Sequence, residues 1–424
     1  MARNTPNPAD GSKPAAAKRI TIADAFRFIL QAPPPTAETR AQQRMTLLSS
    51  LAYEAEIEAK HQALQHFWTA NRLPGKVETI LPSPHPRGYQ STSNRQLLSQ
   101  PGKQFLLQPW EKNPTGKRFF QPSPLEPARH ARVYGLLAEK LNQGAYASVA
   151  RKLKFITIRG NERESSVIFN MVELDSQLVR KLKALAGHIQ SLQADIISVF
   201  IHAQPVSPGA YLHYFTAPEQ ARYKNLFGPE KLFVKIGDYK FGYYPSSFSP
   251  LNIAIVPGVL KLAGELLQPS GEQRLLDLYC GYGLFSCPLA DGFREVIGVD
   301  PGTFTIQAAE ANRPFFPGKH KLSFLNRGIR PALFRNQLPD PQTLPESVLL
   351  APPWSGTGSG VIKAIAERRP KRVLHLVRDV NDLPARLGEW RSCGYRMQRV
   401  MPLDMYPGTM DMELLVMLEA TMTD

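Results

Sequence analysis

The chain has 424 residues, 43% of them hydrophobic and 21% charged, which suits two or three globular domains, each burying its own core. Its 51 Lys and Arg outweigh 36 Asp and Glu, and a net charge of +15 makes nucleic acid the first partner to expect. No run of about 18 apolar residues occurs, so no membrane helix is expected. Cys280, Cys287 and Cys393 are too few for a disulfide framework or a CxxC metal site, which fits a reducing, cytoplasmic setting without a metal.

Residues 1–19 are basic and lack an apolar core, so they read as a disordered tail rather than a secretory signal. Residues 20–75 read as a helical segment. Ile22, Phe26 and residues 28–30 form an apolar cluster, Pro33, Pro34 and Pro35 interrupt it, and Leu47, Leu51, Ile57, Leu64 and Phe67 follow on a helical stripe. Leu73-Pro74-Gly75 marks a boundary.

Residues 76–240 carry the signals of an α+β unit. A strand over 77–81 precedes a stiff loop at 83–89, strands over 154–159 and 166–174 pair, and a helix over 177–193 precedes a strand over 196–202. Lys117 and Arg118 stand beside Phe119 and Phe120. Basic residues interleaved with aromatics suit a surface that tracks phosphates and stacks bases, although an ordinary solvated face has the same composition.

Residues 241–424 alternate strand and helix, the pattern of a mostly parallel sheet covered on both faces. A hairpin around Gly237-Asp238 leads into it, and a helix ending near 267 follows. The central stretch comes next: a buried strand over 275–278 that includes Asp277, then Tyr279, Cys280 and the turn Gly281-Tyr282-Gly283, a short helix, and a strand over 296–299 that stops at Asp300. Strand, glycine turn, helix, strand and acid is the plan by which a doubly wound sheet holds a nucleoside, because glycine lets a ligand approach the backbone and the acid accepts the ribose hydroxyls. Beyond Asp300 a helix is expected over 303–312, strands over 348–350 and 372–377, helices over 360–368 and 382–390, and two last strands within 401–417.

The run DLYCGYGLFS from Asp277 resembles the cofactor loop of the RNA uracil-C5 methyltransferase family. Pro352-Pro353 after a buried strand, the strand at Arg372, and MYPGTMDMELLVMLE from Met405 follow in that family's order, and SPHPRGYQSTSNRQ from Ser83 and KFITIRG from Lys154 are similar to its RNA-facing part. The resemblance covers roughly residues 76–420. It implies an α/β fold: a Rossmann-like class I methyltransferase domain, here following an α+β RNA-facing subdomain and a helical N-terminal segment. It further implies S-adenosylmethionine (SAM) as cofactor, held through Asp277, Tyr279, Gly281, Gly283 and Asp300. Structured RNA, tRNA or rRNA, would be the partner, met by Arg87, Tyr89 and Arg95 together with Lys117 and Arg118. The family's accessory barrel and iron–sulfur cysteines have no counterpart in the sequence, so no cluster is expected.

That family's chemistry needs a thiolate to add to C6 of uracil and a base to remove the C5 proton. The base position falls on Glu413, but the nucleophile position falls on Arg378, which cannot serve as one because its guanidinium stays protonated. Cys393 lies well downstream and reads as structural. Ala351, Trp354, Pro250 and Leu284 replace an aspartate, an arginine, a glutamine and an asparagine of the family pattern. Losing three polar partners would weaken cofactor binding by about one to three decades. The expected activity is therefore that of a SAM-dependent RNA methyltransferase-like protein, without thiolate chemistry at C5. An inactive RNA-binding relative is the alternative, and a small-molecule methyltransferase the second.

Overall fold

The computed structural model describes residues 19–31, 47–100, 104–107, 110–112, 118–120, 122–192, 195–203 and 222–421. Residues 1–18 of the basic tail read over 1–19, the triple proline and Lys117 lie outside them. Among the described residues no helix is long and apolar enough to cross a membrane.

Helix α1 (Ile22–Leu30) starts at a capping box in which the Thr21 hydroxyl accepts from the Asp24 N–H and the Asp24 carboxylate accepts from the Thr21 N–H. Helix α2 (Tyr53–Ala70) packs against it. Phe26, Leu64, Phe67 and Trp68 join the core beneath the C-terminal sheet, so the N-terminal helices roof one face of that sheet. Residues 77–81, expected as a strand, run beside the last sheet edge instead, with Leu81 N–H donating to Pro402 O at 2.8 Å and a single parallel bridge from Leu81 to Leu403.

Next come β1 (Thr92–Gln100), β2 (Gln104–Leu107), the small hairpin β3 (Trp110–Lys112) and β4 (Arg118–Phe120), helices α3 (Ala128–Leu141) and α4 (Ala147–Lys152), β5 (Leu153–Gly160), β6 (Ser165–Met171), α5 (Ser176–Leu192), β7 (Ile196–Ala203) and β8 (Arg222–Phe227). A six-stranded sheet, order β2-β1-β5-β6-β7-β8, is covered on one face by Val133 and Leu137 of α3 and Leu182 and Ile189 of α5. The hairpin of β9 (Leu232–Ile236) and β10 (Tyr239–Tyr243) packs into the C-terminal core through Leu232, Val234, Ile236, Phe241 and Tyr243, so that core already takes in residues before 241.

The C-terminal unit contains α5's successor α6 (Val256–Leu267), β11 (Arg274–Leu278), α7 (Ser286–Leu289), β12 (Glu295–Asp300), α8 (Thr303–Asn312), β13 (Leu322–Asn326), α9 (Pro331–Asn336), β14 (Glu346–Leu350), α10 (Val361–Glu367), β15 (Arg372–Val377), α11 (Leu383–Ser392), β16 (Tyr395–Leu403) and β17 (Glu413–Ala420). Its seven strands lie in the order β13-β12-β11-β14-β15-β17-β16. The first five are parallel, and β17 runs antiparallel between β15 and β16. Because successive side chains alternate across the sheet, Leu275 faces α6 and the hairpin while Leu276 and Leu278 face the N-terminal helices. Strand β13 has no counterpart in the sequence reading.

The two sheets meet at residues 243–250. Arg159 of β5 donates to Pro245 O at 2.8 Å, Tyr243 donates to Gly160 O at 3.1 Å, and Ser91 donates to Pro250 O at 2.7 Å. These bonds hold Phe248 and Pro250 in place over the carboxyl ends of the C-terminal strands.

Candidate functional site

The site lies where a doubly wound sheet places ligands, outside the carboxyl ends of its strands. A cavity of about 50 Å³ is lined on one side by residues 279–282, 284 and 285 after β11. Phe248 and Pro250 line it as well, and Leu376, Arg378 and Glu413 come from the ends of β15 and β17.

The glycine turn is built by backbone conformation. Tyr279 adopts φ +64°, and its N–H and that of Cys280 donate to Val299 O at 2.8 and 3.1 Å. Gly281 has φ +58° and nothing within 4 Å of where a Cβ would stand, so its Cα is an open approach for a ligand. Gly283, at φ +85°, has no such room: a Cβ would meet Cys287 Sγ at 2.7 Å. Its glycine serves packing.

Asp300, 2% exposed, accepts from Gly281 N–H at 3.1 Å through one oxygen, and from Gly302 N–H and the Thr305 hydroxyl, both at 2.7 Å, through the other. Burial raises its pKa against the pull of these donors. Asp277 is fully buried. It accepts from the Ser286 hydroxyl at 2.5 Å, its second oxygen has no hydrogen-bond partner, and burial pushes its pKa up to about 7. It braces the start of α7 and does not line the cavity. The Tyr279 phenol has its pKa raised by burial and then by Asp300.

Across the cavity, Arg378 and Glu413 are brought together by the antiparallel pairing of β15 with β17, in which Val377 opposes Leu414. Arg378 donates to Glu413 Oε1 at 2.9 Å and to Pro352 O at 2.7 Å, and its guanidinium lies 5.1 Å over the Phe248 ring. Burial lowers its pKa, but Glu413 and Tyr406 reverse that, and the net shift is upward, so it remains a cation. The Tyr406 hydroxyl also donates to Glu413 Oε1, at 2.5 Å. Glu413 is 1% exposed, and its Oε2 has no hydrogen-bond partner. Tyr406 itself packs against Trp354, which is 52% exposed.

Two of the sequence-derived RNA residues turn inward. Residues 91, 93, 95 and 97 alternate onto the buried face of β1, where Arg95, 2% exposed, pairs with Glu126 at 2.6 Å. Tyr89 is buried and donates to Pro407 O at 3.0 Å. Neither can reach RNA in this structure. Arg87 is partly exposed and braces α2 through Glu56 Oε2 at 3.0 Å, and Arg118 is placed by its backbone in β4. Phe248 and Tyr406 carry no isolated motif signal. Their role follows from the Arg378–Glu413 pair they flank.

The order and direction of the strands, with the glycine turn at their carboxyl ends, define a Rossmann-like methyltransferase fold. The fold is shared with a tRNA (uracil-54, C5)-methyltransferase from Pyrococcus abyssi in complex with S-adenosyl-L-homocysteine, at a TM-score of 0.61 and 18% identity over 88% of this chain and 83% of that one. Residues 222–314 match the tRNA (uracil-5-)-methyltransferase family model. A 23S rRNA (uracil(1939)-C(5))-methyltransferase RlmD from a Marinomonas species is 29% identical over 57% of each chain. An uncharacterized RNA methyltransferase from Thermosynechococcus vestitus is 30% identical over 46% of this chain and 42% of its own. Residues 222–314 are thus similar to the uracil-C5 RNA methyltransferases, and the chain spans about half the length of the curated relatives it matches.

Proposed function

We propose that the protein is a SAM-dependent RNA methyltransferase that does not use thiolate addition at uracil C5. The observation that carries this reading is the shared cavity: the open Cα of Gly281, bonded through its N–H to Asp300, and the carboxyl group of Glu413 front the same space. The open glycine fits the nucleoside end of SAM, and Asp300, which does not itself line the cavity, stands one hydrogen bond behind it. When bound there, SAM would supply an electrophilic methyl group. Gly281 would admit it to the backbone, Asp300 would take the ribose hydroxyls, and Tyr279 would flank the turn. Apolar Leu284 and Ala351 in the lining support weaker binding than the family pattern would give. The net charge of +15 supports an RNA, tRNA or rRNA, over a small-molecule acceptor.

One observation favours a second reading. Arg378 stands in the nucleophile position and pairs with the residue in the base position, a closed arrangement that an inactive RNA-binding relative would also tolerate. Calorimetric titration of the full chain with SAM and S-adenosylhomocysteine separates the two. Micromolar binding lost in Asp300→Asn, with an unchanged melting temperature, is expected. No binding at millimolar cofactor would leave only the RNA-binding reading.

A further inference from the structure

Resting on the methyltransferase reading, we propose that the reacting group is the exocyclic amine of an adenine or cytosine base, with Glu413 Oε2 receiving the amine proton and Trp354, which packs on Tyr406 beside Glu413, stacking on the base. Glu413 is 1% exposed and its Oε2 has no hydrogen-bond partner; the residue lines a cavity that it shares with Arg378, the Gly281 turn and apolar Phe248, Leu376, Leu403 and Met405. A carboxylate oxygen only accepts, so its natural complement is an N–H. The C5 edge of uracil offers a C–H there and would leave the oxygen unpaired, a costly outcome in a buried site. Uracil C5 also needs a thiolate to become a nucleophile, and Arg378 stands where the thiolate should be. An exocyclic amine shares its lone pair with the ring and is a weak nucleophile, and a carboxylate that draws off its N–H as the attack proceeds is the activation it needs, with no covalent adduct to the ring.

The amine nitrogen attacks the sulfonium methyl carbon of SAM. It displaces S-adenosylhomocysteine, which keeps the electron pair of the broken carbon–sulfur bond, and gives up its proton to Glu413 Oε2. Arg378 and the Tyr406 hydroxyl, both on Glu413 Oε1, fix the carboxyl group so that its other oxygen stays available. Pro352, whose carbonyl anchors Arg378, is two residues from Trp354, and Trp354 packs on Tyr406 at 5.6 Å between ring centroids. A half-exposed indole in that position offers a flat face to a base turned toward the cavity.

The test incubates the full chain with methyl-tritiated SAM and total bacterial tRNA and rRNA, then digests the RNA to nucleosides. Label in an N-methylated adenosine or cytidine, modified on the exocyclic nitrogen and reduced at least 100-fold in Glu413→Gln, is the expected result. Label in 5-methyluridine or on a ring nitrogen overturns the proposal while the methyltransferase reading stands. Absence of label overturns both. A second measurement needs no SAM: oligoadenylate and oligocytidylate should bind about 10- to 100-fold more tightly than oligouridylate. Glu413→Gln should abolish that preference, and Trp354→Ala should weaken all three alike while Trp354→Phe restores binding. Equal affinities in the native protein overturn the base assignment.

Discussion

Arg378 and Glu413 carry opposite consequences for stability and for chemistry. Taking two charges into a cavity wall costs desolvation, which their 2.9 Å pairing, the Pro352 carbonyl and the Tyr406 hydroxyl offset. Removing one partner strands the other. Arg378→Met should cost about 3–5 kcal/mol, and Arg378→Met with Glu413→Leu should cost far less than the sum of the single changes, as read by denaturant unfolding of all four proteins. Equal, additive losses would mean that the pair is not coupled. By the same logic Arg378→Cys leaves Glu413 as a buried acid without its cation. An arginine at position 378 was visible in the sequence, whereas the buried acid that pairs with it was not. Residues 378 and 413 are 35 positions apart, and only the pairing of β15 with β17 sets them side by side.

Among the elements, α2 shows how a solvent-like pattern can conceal a structural joint. Glu56 and Lys60, one turn apart, are both 0% exposed. Lys60 bridges Glu56 at 2.9 Å and Asp404 at 2.6 Å, Tyr53 donates to the second Asp404 oxygen at 2.7 Å, and Arg87 takes the second Glu56 oxygen. The network ties the N-terminal helices to the segment leading through Tyr406 to Glu413. Lys60→Met would leave two buried carboxylates facing each other and should lower stability by about 3–5 kcal/mol. Limited proteolysis should then cut first between residues 404 and 412, and an unchanged cleavage pattern would show that the joint is not what holds this segment. The same scale explains the missed β13. Its five residues form the sheet edge, with Phe324 lying against Gly298 of β12, where a Cβ would come within 2.5 Å of the ring. Such complementarity between one glycine and one distant aromatic leaves no periodic trace in the sequence.

At the scale of the whole molecule, the net charge of +15 sets how RNA binding should respond to salt. With about six phosphates neutralised, affinity for tRNA or rRNA should fall by about 10³-fold between 50 and 200 mM monovalent salt, measured by filter binding. A flat response would count against RNA as the partner. The inward turn of Tyr89 and Arg95 moves the search for contacts toward residues that remain exposed, Trp354 among them.

The sequence by itself determined the parallel sheet, the glycine turn, the acid at the end of β12 and the resemblance of that stretch to a methyltransferase cofactor loop. Each of these is local: hydrophobic period, turn chemistry and a short motif are properties of neighbouring residues. The sequence reading has no strand over 92–100, and the alternation that buries residues 93, 95 and 97 of β1 came only with the structure. Only the tertiary structure decided that Arg378 meets Glu413, that Lys60 lies between Glu56 and Asp404, and that Arg95 serves Glu126 rather than RNA. A buried charge is settled by the partner the fold delivers to it, often hundreds of residues away, and no short-range pattern encodes that partner.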